Sequence, residues 1–185
     1  MITAISLNPC IDRTVKIPSF QYGGMNRICD VRMEAKMCIR DSRYIALDDH
    51  GHVRFTARAM GSREAPVLQL ADALGRDQVR AARFGSRFFP RYNLLRGEEV
   101  LLRARCGMSL FRITFTLDGG YRFEGNVAKP RFNLTQAGRR LMTVERQGDR
   151  REGNYRLSIA DGQDEALLCA LVMTLDNALQ RAAFA

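Results

Sequence analysis

Lysine is nearly missing from this chain: of its 29 basic residues three are lysine and 26 are arginine. A polybasic run is missing too. After Arg40, 17 acidic residues are interspersed with 23 basic ones, which excludes a like-charge tail. The net charge of +9 still favours acidic partners, nucleic acid or anionic lipid headgroups, although a solvated arginine-rich surface is the plainer reading of the same composition. The five cysteines (Cys10, Cys29, Cys38, Cys106, Cys169) make no CxxC pair and no metal-ligand spacing. The N-terminus lacks the basic start and long apolar segment of a secretory signal. With an odd cysteine count, that points to the reducing cytoplasm. No Gly-rich loop opening a helix is present to cradle phosphates.

What is present is concentrated near the end. Asp161–Phe184 reads DGQDEALLCALVMTLDNALQRAAF, and Ala166–Met173 is apolar at all eight positions. A surface helix would show a polar stripe every turn. A membrane-spanning helix needs about 20 apolar residues. A helix greasy all round yet too short to span has to be wrapped by its own protein. Asp161 is the expected N-cap, with Gly162, Asp164 and Glu165 in the first turn, where negative charge suits the dipole. Asp176, Asn177, Gln180 and Arg181 are expected to mark the point where the helix emerges.

From residue 43 onward the hydrophobic period is two. Val53, Phe55, Ala57 and Ala59 alternate with Arg54, Thr56 and Arg58; Phe111–Leu117, Tyr121–Val127 and Tyr155–Ile159 do the same. That is the pattern of antiparallel strands with one dry face. Turns are expected at Asp48–Gly51, Arg96–Glu98, Asp118–Gly120, Gln136–Gly138 and Gln147–Asp149. At 185 residues one domain with a real core is the default. Strands with a dry face and a helix needing burial on all sides satisfy each other in an antiparallel β-barrel threaded by the C-terminal helix. The fold class is therefore mainly β.

Candidate chemistry is thin. Asp48-Asp49-His50-Gly51-His52 could be a weak metal loop, but tight turns attract these residues for backbone reasons. No metal site, no cofactor and no catalytic set is assigned, and the chain is not expected to be an enzyme. Binding is the better expectation. Arg103 and Arg105 share one face of the strand Val100–Cys106, and Arg54, Arg58 and Arg112 hold matching strand-face positions. If those strands are neighbours, the five form an outer basic patch, and arginine forks suit phosphate. The expected partner is an anionic lipid headgroup or a protein. Nucleic acid is disfavoured because most aromatics fall on the dry face.

Two resemblances attach to these residues. ITAISLNPCIDRTVKI followed by GGMNRICDVRMEA, within residues 1–35, resembles the opening of 1-phosphofructokinase-type sugar kinases, which implies a sugar contact for Asp12. The GGKG-type and GxGD-type segments of that family are absent, so kinase activity is not expected. Residues 36–42, including MCIRDS, are read as an artefactual junction. Residues 43–185, above all YRLSIADGQDEALLCALVMTLDNAL, resemble the LURP-one-related family of the tubby C-terminal-like superfamily, which also includes phospholipid scramblases. That implies a tubby-like barrel around the terminal helix. Members begin with one or two further strands before the segment matching Tyr44, so the barrel is expected to be incomplete, with an open edge there unless Ile2–Ile17 patches it. Tubby relatives bind phosphoinositides, which implies a lipid-headgroup ligand and a cytoplasmic protein peripheral at the membrane.

Overall fold

The computed structural model describes residues 43–61, 66–86, 89–109, 112–147 and 154–183. The kinase-like segment, the junction, Asp12, and Gly148 and Asp149 of the expected Gln147–Asp149 turn lie outside them. Eleven strands precede one helix: β1 (Arg43–Leu47), β2 (Val53–Gly61), β3 (Pro66–Asp72), β4 (Asp77–Gly85), β5 (Pro90–Arg96), β6 (Glu99–Ser109), β7 (Arg112–Leu117), β8 (Tyr121–Glu124), β9 (Arg131–Gln136), β10 (Arg139–Gln147), β11 (Asn154–Ile159) and α1 (Glu165–Ala183). All pairings are antiparallel between consecutive strands, giving a seven-stranded sheet β1–β7 and a four-stranded sheet β8–β11. Together they form a curled half-barrel around α1.

The dry face is the one the alternation marked. Ala57, Leu70, Val79, Ala81, Leu94, Leu102, Ala104, Leu134, Val144 and Leu157 are all buried. Against them, every residue of α1 from Ala166 to Asp176 is buried, Leu171, Val172 and Met173 completely. Each fully buried aliphatic side chain of this kind stabilises the fold by about 1.5–3 kcal/mol. The helix needs no polar stripe because the curled sheets leave it no wet side. The backbone of α1 lies closest to β3, β4 and β5.

Between β7 and β8 the hydrogen-bonded ladder stops, and aromatic packing takes over. Phe115 of β7 meets Phe123 of β8 edge-on at 6.2 Å; Tyr92 and Phe132 extend the row at 6.1 and 5.6 Å. Neighbours thus span β5, β7, β8 and β9 and seal the seam. Among the described residues, the outer edges of β1 and β11 pair with no strand. They are linked instead through the helix. Tyr155 of β11 donates to Asp176 Oδ1 at 2.6 Å, and Tyr44 of β1 approaches Oδ2 at 3.4 Å.

Two expectations about α1 need correction. The helix starts at Glu165, and its N-cap is Asp164, whose Oδ1 accepts from Leu167 N at 3.1 Å. Asp161 and Gly162 form the preceding turn, with Gly162 at φ +76° in the left-handed region that glycine tolerates. Asp176 does not emerge. It is 2% exposed and ties both sheet edges to the helix. Strands β3, β4, β9 and β10 carried no separate expectation; their hydrophobic alternation is shorter or broken by bulges at Leu70/Ala71 and Arg140/Met142.

Candidate basic site on the outer sheet face

In a meander, alternate hairpins lie at the same end. The turns after β1, β3, β5 and β7 form one end of the β1–β7 sheet, and those after β2, β4 and β6 form the other. The two ends differ sharply in charge. The first carries Asp48, Asp49, Asp72, Asp77, Glu98, Glu99 and Asp118, and its arginines are engaged. Arg54 pairs with Glu165, Arg96 with Asp164 and Arg76 with Asp72, each at 2.7 Å. Backbone hydrogen bonds from Arg76, with the Arg76 side chain and Leu74 N adding to them, hold the Asp72 carboxyl below its ordinary range.

The opposite half carries Arg58, Arg83, Arg91 and Arg105, with Arg80 near mid-sheet, and no acidic residue among those described. None of these arginines makes an ion pair with a described residue. Strand register decides which of them meet. Arg91 of β5 lies directly across from Arg105 of β6, and Phe84 of β4 and Thr116 of β7 complete that outer-face row. Arg58 and Arg80 flank Gln69 in the row β2–β3–β4. Directly opposed side chains have Cβ atoms about 4.5–5.5 Å apart, and like charges there repel.

The five sequence-predicted arginines do not form one continuous patch. Three strands separate β2, with Arg54 and Arg58, from β6, with Arg103 and Arg105. Arg54 is held by Glu165, and Arg103 faces Asp118 at 3.6 Å while its backbone N donates to Asp118 Oδ1 at 2.7 Å. Arg112 enters β7 across from Ser109. Arg105 keeps an outer-face position beside Arg91, which sequence reading missed. Only the register of the β5–β6 hairpin, which closes at Arg96–Glu99 and shifts between Leu94 and Leu95, brings those two together, and alternation does not encode register.

The Asp48–His52 loop and the two described cysteines are engaged within the fold. Burial alone would raise Asp48, but N–H donation from His52 and His50 into its carboxylate, at 2.8 and 2.9 Å, holds it below its ordinary value. The loop is thus a self-bonded turn, and no cluster of three metal-ligating residues occurs among those described. Burial pushes the Cys169 thiol up to about 12 and raises Cys106 as well, so both are held as unreactive thiols. Among the described residues, no helix is long and apolar enough to cross a membrane.

Residues 30–176 match the LURP-one-related family. No curated protein and no solved structure matches the chain. The matched stretch begins inside the segment read as 1–35 and runs through 36–42, so the family's portion reaches upstream of residue 43. Nothing in these comparisons supports the sugar-kinase resemblance or an artefactual junction at residues 36–42. A curled antiparallel sheet closed on a buried terminal helix, and a match over most of the sequence, lead to one conclusion: the chain belongs to the LURP-one-related family.

Proposed function

We propose that this protein is a non-catalytic binding module whose ligand is an anionic, phosphate-bearing lipid headgroup, met at the cytoplasmic surface of a membrane. The observation that carries this reading is the Arg91–Arg105 pair. Two guanidinium groups stand opposite each other on an outer face with no described carboxylate between them. A sheet gains nothing from such a pair by itself, whereas a bound phosphate relieves the repulsion and accepts from both forks. The rest of the half-sheet is arranged in the same sense, because among the described residues the acids and ion-paired arginines are gathered at the far end. Among the described residues no side-chain set suited to bond making or breaking lies beside the arginines, which favours binding over catalysis.

Co-sedimentation with vesicles tests this. The protein should bind phosphatidylserine-containing vesicles, ignore pure phosphatidylcholine, and release as salt is raised. Arg91→Glu should weaken binding about tenfold or more, since each basic residue near an anionic surface is worth about 1 kcal/mol. The same change should stabilise the fold by about 0.2–1 kcal/mol, because it turns a repulsive cross-strand pair into an attractive one. Unchanged vesicle binding by this variant would remove the pair from the role.

A further inference from the structure

The basic half of the sheet also holds most of the exposed large hydrophobic side chains. Met60, Phe84 and Phe89 are 55%, 43% and 58% exposed, and all three lie at the hairpin end after β2 and β4. At the acidic end the only described counterpart is Leu74. Phe89 is set by its turn, where its backbone N donates to Ser86 Oγ at 3.0 Å. Gly85 next to it has φ +86°, and a Cβ there would meet the Phe89 carbonyl oxygen at 3.2 Å. Phe89 is therefore held by local bonds while its ring stays outside the core. Phe84 occupies the same outer-face row as Arg91 and Arg105, and Met60 the adjacent row that ends on Arg103. By strand spacing and rise, the Met60 and Phe84 backbones are about 12 Å apart.

Apolar tips among arginines that make no ion pair with a described residue fit one kind of surface, an apolar layer lying just beneath an anionic one. We infer that the hairpin end carrying Met60, Phe84 and Phe89 is a membrane-insertion edge, which dips below the headgroups of an anionic bilayer while Arg58, Arg91 and Arg105 contact the phosphates. This rests on the headgroup reading above and adds to it an orientation, with the barrel standing on its basic end. The acidic end, with the N-terminus of α1, then points away from the surface, which avoids repulsion between its carboxylates and the lipid.

The chain contains no tryptophan, so Phe89→Trp provides a single reporter. With phosphatidylserine vesicles its emission should shift to the blue and be quenched by lipids brominated on the acyl chains. Met60→Ser with Phe84→Ser should weaken vesicle binding by about tenfold or more, because each large apolar side chain removed from water is worth on the order of a tenfold affinity change. Both positions are exposed, so the thermal midpoint should not fall, and it serves as the control. Vesicles that co-sediment the Phe89→Trp protein without moving its indole emission would overturn insertion and leave headgroup binding standing. Failure to co-sediment at all would overturn both. A blue shift with a polyanion such as RNA but not with vesicles would also overturn it.

Discussion

At the scale of single residues, the most consequential side chain is Asp176. Burial raises its carboxyl above the ordinary 3.8, against donation from Tyr155, the nearby Arg146 charge and donation from Tyr44, all of which favour the anion. Arg146 also donates to Tyr155 and lies over its ring at 5.3 Å. The folded chain therefore keeps this proton to higher pH than the unfolded chain does. The associated stability is fullest below the unfolded value and declines as pH rises through the folded one. Asp48 and Asp72 have the opposite sign: their contribution is present above the ordinary aspartate value and is lost on acidification. Asp176→Asn should abolish the decline on the higher-pH side and keep the acid loss, read from urea midpoints from acid to neutral pH. A variant whose difference from wild type stays constant with pH would contradict this. Tyr155→Phe, which removes the 2.6 Å donor, should cost about 1–3 kcal/mol by the same measurement. The sequence showed Asp176 as a polar residue at a helix end and nothing more. Its partners are 132 and 21 residues away, and no local pattern records such distances.

At the scale of elements, the helix was the most legible part. Eight consecutive apolar residues exclude any wet side, and Ala166–Met173 is buried throughout. Its start was misplaced by a few residues because Asp161 and Asp164 offer the same capping chemistry, and only the backbone turn at Gly162 decides between them. Leu171→Asp should abolish folding, since it places an unpaired charge at a fully buried site. Leu171→Ala should cost about 2–5 kcal/mol. A soluble, cooperatively melting Leu171→Asp protein would refute the enclosed-helix architecture. Asp164→Ala, losing a cap, should cost about 1 kcal/mol. The strands with clean alternation, β2, β7, β8 and β11, were likewise legible, although Ala59, one residue past the last β1 pairing at Arg58, is exposed. The seam between β7 and β8 was not legible. Phe115 and Phe123 read as ordinary dry-face residues until the break in the ladder makes them the contact across it.

At the scale of the whole molecule, the sheet has a charge axis. The terminal helix runs along it, with its N-terminus among carboxylates at one end and Asp176 toward the other. The net charge pointed to acidic partners, but composition has no direction. The direction comes from hairpin connectivity, which sends successive turns to alternate ends and, among the described residues, sorts Asp- and Glu-bearing turns from Arg-bearing strand ends. The most direct test of the account is amide hydrogen exchange with and without phosphatidylserine vesicles. It predicts new protection in Ala82–Ser86, Phe89–Asn93 and Arg103–Gly107, with none at Asp48–His52, Asp72–Arg76 or Arg96–Glu99. Protection confined to the acidic turns, or no change anywhere at saturating lipid, would contradict it.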